Sequence, residues 1–221
     1  MSDISAFVLD FKKYKAEDLK AWLSSRVDTL LFSNNQKIFS QFIRYFVLES
    51  FFNITPIFSQ TNAKPYLVNS SLFFNISHTQ NKIVMVVANH EVGVDAEEIR
   101  QKRNVLKIAK RYFDFNEYKL LEQSIQQDKD FYSLWTLKEA QVKRSSLGIA
   151  KELSQAIFHK NKNQQWQSNK YPNDFDTFSY DDMVISVCCN NVIEKQINFF
   201  EIDDFEFKKL ELRGEQDGVT Q

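Results

Sequence analysis

Asp95 and Glu97 stand two residues apart in the run Gly93-Val-Asp-Ala-Glu97, and further along the chain Glu139 and Lys143 stand four apart. A strand alternates its side chains between two faces, so Gly93, Asp95 and Glu97 share one side while Val92, Val94 and Ala96 share the other. On a helix, Phe131, Trp135, Glu139 and Lys143 fall on one stripe. That spacing puts Glu139 on or beside an aromatic, buried side. A carboxylate there needs a partner, because burying an unpaired charge costs several kcal/mol. Three carboxylate donors on two rigid elements, leaving room for water and a phosphate oxygen, are a common way to hold Mg²⁺.

The elements that must position these groups follow from periodicity. Helices are expected over 16–27 and 35–51, the second with Phe39, Phe42, Ile43, Phe46 and Val47 at helical spacing and Asn34 or Asn35 as its cap. A polar turn region and a Lys64-Pro65 break lead to a strand at 72–76. The continuous apolar run 83–88 and the strand bearing Asp95 and Glu97 flank the turn Asn89-His90-Glu91 and are expected to form a hairpin. Helices follow at 104–112 and 116–126, the latter capped by Asn116. The helix of Glu139 is expected to start near Asp128 or Asp130, either of which can cap it. Strands are expected at 156–159, 175–179, 183–189 and 199–202, with a loop or hairpin tip rich in Asn, Gln and Lys between His159 and Asp174. The tail from Glu211 reads as mobile. Helices and strands fall into two groups split near His90, an α+β arrangement compatible with two similar halves. The expected division is an N-terminal subdomain over 1–90 and a C-terminal one over 91–221.

At 221 residues, the chain has room for one good-sized core or two small subdomains. Its 21 phenylalanines and 4 glycines depart from average usage, and no chemistry is read from them. A net charge of −1 neither attracts nor repels polyanions, so no nucleic-acid partner is expected. The start of the chain lacks a basic segment followed by an apolar core. No run approaches the length of a membrane span, so a cytoplasmic protein without a membrane partner is expected. Cys188 and Cys189 read as reduced residues of an apolar strand. With only His78, His90 and His159 besides, a zinc site is disfavoured. Between 100 and 111 the chain carries Arg100, Lys102, Arg103, Lys107, Lys110 and Arg111 with no acid among them. This is either a solvated helix face or a docking face for an acidic partner or a phosphate.

Four segments in order carry a resemblance to a known family: Ala63-Lys64-Pro65-Tyr66, Phe74-Asn75-Ile76-Ser77-His78-Thr79, Gly93-Val94-Asp95-Ala96-Glu97, and Trp135-Thr136-Leu137-Lys138-Glu139-Ala140 with Lys143. A weaker fifth runs from Ala109 through Phe113 to Glu117. The chain resembles the 4'-phosphopantetheinyl transferases of the Sfp type, which activate carrier proteins of polyketide, peptide and fatty-acid assembly. The resemblance implies two pseudosymmetric α/β subdomains with the active site in the cleft between them. It also implies transfer of phosphopantetheine from coenzyme A to a carrier-protein serine, with Mg²⁺, or alternatively Mn²⁺, held by Asp95, Glu97 and Glu139.

Glu139, or a metal-held water it orients, is then similar to the general base. Lys143 is similar to a phosphate contact or proton relay, and the resemblance leaves these roles open. Lys64, Ser77, His78 and Arg44 match positions that bind the nucleotide, especially its 3'-phosphate, and Lys37 is a further basic candidate. The implied partner is an acidic apo acyl or peptidyl carrier protein meeting the basic stretch from Arg100 to Arg111, with the enzyme itself a monomer. Ala63 and Ser146 depart from the family's glycines, Gly148 retains one, and the N-terminal third is poor in arginine. A protein of the same fold that binds coenzyme A or a carrier without transfer is the competing expectation, and a Mg²⁺-dependent phosphohydrolase using the same carboxylates is a third.

Overall fold

The computed structural model describes residues 4–29, 32, 34–61, 64–100, 104–145, 153 and 156–214. Strand β1 (Ile4–Asp10) opens the first half, followed by helices α1 (Ala16–Leu23) and α2 (Asn35–Ser50). Two antiparallel hairpins close it, one of β2 (Phe58–Thr61) and β3 (Lys64–Leu67), the other of β4 (Phe73–His78) and β5 (Lys82–Ala88). The second half repeats the plan. Strand β6 (Val92–Glu98) leads to α3 (Val105–Tyr112), α4 (Phe115–Glu122) and α5 (Gln127–Ser145). A short hairpin of β7 (Phe158–Lys160) and β8 (Trp166–Ser168) and a longer one of β9 (Phe175–Tyr180) and β10 (Met183–Cys189) follow. The chain ends its described part with the hairpin of β11 (Ile197–Asp203) and β12 (Glu206–Leu210).

Sheet order makes the duplication explicit. One sheet runs β12-β11-β1-β5-β4 and another β6-β10-β9, so β1-β5-β4 and β6-β10-β9 are the same antiparallel unit used twice. β11 pairs in parallel with β1. The chain passes from one repeat to the other between β5 and β6, and β11 and β12 return to the sheet of the first.

Each sheet faces its own helices. Ile38, Phe39, Phe42, Ile43, Phe46 and Val47 of α2 pack with Phe7, Leu9, Ile83 and Met85 in one core. A concentration of rings around Phe7, with Phe51, Phe200 and Phe207 within aromatic contact, uses much of the phenylalanine excess. A second core joins the backs of the two sheets through Ile4, Ala6, Val8, Val92, Val94, Ala96, Ile185 and Val187. The third lies between α5, α3, α4 and the β7–β10 strands. No helix among the described residues is long and apolar enough to cross a membrane.

Several expected elements differ. β5 and β6 do not form a hairpin: β5 has its two edges taken by β1 and β4, and the Asn89–Glu91 turn carries the chain from one sheet to the other. α1 ends at Leu23, where the Ser24 hydroxyl donates to the Ala21 carbonyl and competes with the helix. Asp114, rather than Asn116, caps α4, in a reciprocal capping box with Glu117. α5 starts at Gln127, so Asp128 and Asp130 lie in its first turn, where acids are favoured by the helix dipole, instead of capping it. β1, β2, β3, β8 and β12 were not expected as strands.

Candidate active site

β6 presents Gly93, Asp95 and Glu97 toward α5, and the approach is close enough to exclude a side chain at residue 93. A Cβ there would stand 2.7 Å from the Arg144 nitrogen and 2.9 Å from the Arg144 Cβ, and nearer still to the Ala140 carbonyl oxygen. The expected common face of the two acids is thus the face that meets the helix of Glu139 and Lys143. Phe131 and Trp135 stack on each other along that helix, and Phe113, which stacks on Phe131, ties them to the chain after α3.

Lys143 Nζ donates to Asp95 Oδ1 at 2.7 Å and to Ser77 Oγ at 2.8 Å, and Ser77 Oγ donates to the same Asp95 oxygen at 2.8 Å. Three elements, β4, β6 and α5, meet in this knot. β6 is an edge strand on the side facing β4, and its amides need acceptors. The Asn75 side-chain oxygen takes the Val94 amide at 3.0 Å, and Ser77 Oγ takes the Ala96 amide at 3.1 Å. Side chains of the first half thus complete the edge of the second. Beneath the knot the buried hydroxyls of Thr136, Ser186 and Thr177 bond one another, so no polar atom of that cluster is wasted.

Glu139 is half-buried and, among the described residues, makes no hydrogen bond or salt bridge. Burial, then Asp95, then Glu97 raise its carboxyl above the ordinary range against the opposing pull of Lys143. Asp95 Oδ2 is buried without a hydrogen-bond partner. As placed, no three Asp, Glu, His or Cys side chains among the described residues stand close enough to hold an ion. The donor set nonetheless fits a hard divalent cation: all-oxygen, one buried carboxylate oxygen orphaned, and a second carboxylate with an elevated pKa facing it.

The basic candidates divide by what they touch. Lys64 donates to the carbonyl oxygens of Lys143 at 2.7 Å and Arg144 at 3.3 Å, so it caps the C-terminus of α5 from the first half. Burial lowers its pKa. Arg44, on α2, buries Nε without a partner, and desolvation lowers its pKa. His78 Nε2 lies 2.6 Å from Ser40 Oγ, and burial followed by the charges of Lys143 and Arg44 brings its pKa to about 4. Lys37 is exposed in the first turn of α2, and no hydrogen bond or salt bridge ties its ammonium to the others among the described residues.

α5 is anchored from behind by a salt bridge that spacing did not reveal. Lys138 Nζ and Glu117 Oε2 lie 2.8 Å apart, both side chains essentially inaccessible. Glu117 also accepts from the Asp114 and Phe158 amides, and Lys138 donates to the Leu153 and Ala156 carbonyls. Removing one partner of such a pair costs about 3–5 kcal/mol. Ser40 was also missed; a small polar residue inside the apolar stripe of α2 was the signal available. Lys107, Lys110 and Arg111 are exposed on α3. Ala63, Lys102, Arg103, Ser146 and Gly148 lie outside the described residues.

Comparisons with known proteins bear on this geometry. A profile of the 4'-phosphopantetheinyl transferase superfamily matches residues 91–188. The chain is 32% identical over 160 residues to the 4'-phosphopantetheinyl transferase HetI of Nostoc sp., covering 65% of this chain and 68% of HetI. It is 36% identical over 103 residues to the 4'-phosphopantetheinyl transferase gsp of Aneurinibacillus migulanus, 46% of this chain and 42% of that protein. Over 82 residues it is 35% identical to the 4'-phosphopantetheinyl transferase Sfp of Bacillus subtilis, 35% of this chain and 34% of Sfp. The chain thus spans about two-fifths of gsp and about two-thirds of HetI. The acids of β6 and α5 lie inside the matched profile, and the chain belongs to the 4'-phosphopantetheinyl transferase superfamily, in its Sfp type.

Proposed function

We propose that this protein transfers the 4'-phosphopantetheine group of coenzyme A to a serine hydroxyl of an apo carrier protein. The serine oxygen bonds to the β-phosphorus, the bond from that phosphorus to the bridging oxygen breaks, and 3',5'-ADP leaves with the bridging oxygen. The observation that carries this reading is the meeting of Asp95 and Glu97 on β6 with Glu139 on α5 beside the Lys143–Asp95–Ser77 knot.

Asp95, Glu97 and Glu139 would hold Mg²⁺, or Mn²⁺, which when bound neutralises charge on the pyrophosphate. Glu139 takes the serine proton; a carboxyl raised by burial and by neighbouring acids has more affinity for it than a solvated one. Lys143 contacts the phosphates between which the bond breaks. Arg44, whose buried Nε has no hydrogen-bond partner among the described residues, His78, Lys64 and Ser77 face the nucleotide and its 3'-phosphate, with Lys37 at the rim. The exposed Lys107, Lys110 and Arg111, continued by Phe115 at 70% exposure, form the docking face for an acidic carrier. The enzyme acts as a cytoplasmic monomer.

Intact-protein mass spectrometry of an apo carrier incubated with coenzyme A, Mg²⁺ and the protein tests the reading. A gain of one phosphopantetheine, lost with Glu139→Gln, is expected. No gain across several carriers with coenzyme A still bound would replace the transferase with a binding protein. Release of phosphopantetheine without a carrier would make it a hydrolase.

A further inference from the structure

The bond between Ser40 and His78 decides which ring nitrogen of His78 carries the proton. Ser40 is 9% exposed on the inner face of α2, and its hydroxyl has one hydrogen-bond partner among the described residues, His78 Nε2 at 2.6 Å. A hydroxyl has one proton to give and lone pairs to receive. If Nε2 carried the ring proton, Ser40 would accept it and its own proton would be left buried without an acceptor, which costs free energy. If Ser40 donates to Nε2 instead, its proton is satisfied and the ring proton moves to Nδ1. Nδ1 makes no hydrogen bond among the described residues. The ring is therefore left with a free N–H donor.

The neighbourhood gives that donor a use. His78 is flanked by Arg44 on α2 and Lys143 on α5, and both act on it electrostatically. Arg44 Nε is buried and unpartnered. Two cationic side chains, one of which (Lys143) also meets Asp95, and one free N–H form a surround suited to a phosphomonoester, whose oxygens only accept. A neutral imidazole serves such a ligand only in the tautomer that points its N–H outward.

We propose that Ser40 is a positioning residue that holds His78 as the neutral Nδ1–H tautomer, so that Nδ1 donates to the 3'-phosphate of the nucleotide. Ser40 itself touches no ligand. This deepens the transferase reading and rests on it for the identity of the phosphate.

The experiment uses the full chain with nitrogen-15-labelled histidine, and long-range proton–nitrogen correlation at neutral pH to read each tautomer. His78→Gln assigns the signal against His90 and His159. The expected result is an Nδ1–H signature for His78 that is lost or mixed in Ser40→Ala and restored in Ser40→Thr. Calorimetric binding of 3',5'-ADP should weaken about tenfold in Ser40→Ala, the worth of one charge-assisted hydrogen bond, with adenosine 5'-phosphate affected far less and Ser40→Thr recovering the loss. An Nε2–H signature in the unaltered protein, or an unmoved signature in Ser40→Ala, overturns the tautomer assignment whatever the activity. Equal weakening for both nucleotides overturns the 3'-phosphate as the acceptor. If the unaltered protein binds neither nucleotide, the transferase reading fails, and the tautomer signature still decides the part of Ser40.

Discussion

Gly93→Ala is the smallest change that should uncouple the site without touching a charge. Gly93 carries no unusual backbone angle, so alanine suits its strand, and the effect is purely steric. The new Cβ would meet the Ala140 carbonyl, the Arg144 nitrogen at 2.7 Å and the Arg144 Cβ at 2.9 Å. Two of these are backbone atoms of α5, so no rotamer change relieves them. Carbon prefers about 3.5 Å or more from its neighbours, so α5 must lift from β6 by about 1–1.5 Å. A shift of that size stretches the 2.7 Å bond from Lys143 to Asp95 beyond hydrogen-bonding range.

Overpacking of this kind costs about 1–3 kcal/mol, and a misplacement of about 1 Å costs about 10²-fold in rate. Urea denaturation and steady-state transfer to an apo carrier measure the two together. Aligning the two seven-residue ladders puts Ser5 of β1 in the place of Gly93. A side chain is already accommodated there, so Ser5→Ala is the control and should lose little. Wild-type stability and turnover in Gly93→Ala would refute the argument that close contact between β6 and α5 sets the carboxylate geometry.

Glu139→Gln should abolish transfer, by at least about 10²-fold, yet raise Tm at neutral pH. A carboxyl whose folded pKa is raised loses stability as pH climbs through that pKa, so the gain should vanish in acid; calorimetry at both pH values checks the sign. His78 has the opposite linkage. Its depressed pKa means that stability present above 6.5 is lost as pH falls toward about 4, by roughly 2 kcal/mol after screening by solvent, and His78→Gln should flatten denaturation midpoints across that window. Glutamates at Lys107, Lys110 and Arg111 should raise the KM for an acidic carrier about tenfold while sparing the KM for coenzyme A, and equal effects on both would remove α3 as the docking face.

Local spacing made the carboxylates legible. The alternation of β6 and the stripe of α5 each use one element, and sequence period reports a single element well. Contacts across the halves are different: Ser40 with His78, Lys64 with the end of α5 and Asn75 with the Val94 amide join residues remote in sequence, where period says nothing. β1 was missed because Ile4 to Leu9 are buried on both faces, between α2 and the back of the second sheet, which erases alternation. β12 was missed for the converse reason. It is largely exposed, and its turn uses Asp204 and Phe205 at φ 51° and 59° where a hairpin usually announces itself with Asn-Gly. The β5–β6 hairpin failed because two neighbouring strands and a short turn look alike whether the chain folds back or passes to another sheet.

The duplication shows how the acids come to sit in only one of two similar units. In the aligned ladders, Phe7 and Leu9 of β1 occupy the places of Asp95 and Glu97 of β6. The first pair packs under α2 in the aromatic core; the second faces α5 and is charged. The first half thus supplies stability where the second carries like charges that cost it. The seam between them shares both duties. Ser77 accepts the Ala96 amide that β6 would otherwise leave unpaired, and it also donates to Asp95. Ser77→Ala should therefore lower stability and activity together, whereas Glu139→Gln moves them in opposite directions. That opposition separates a residue kept for chemistry from one that the fold itself requires.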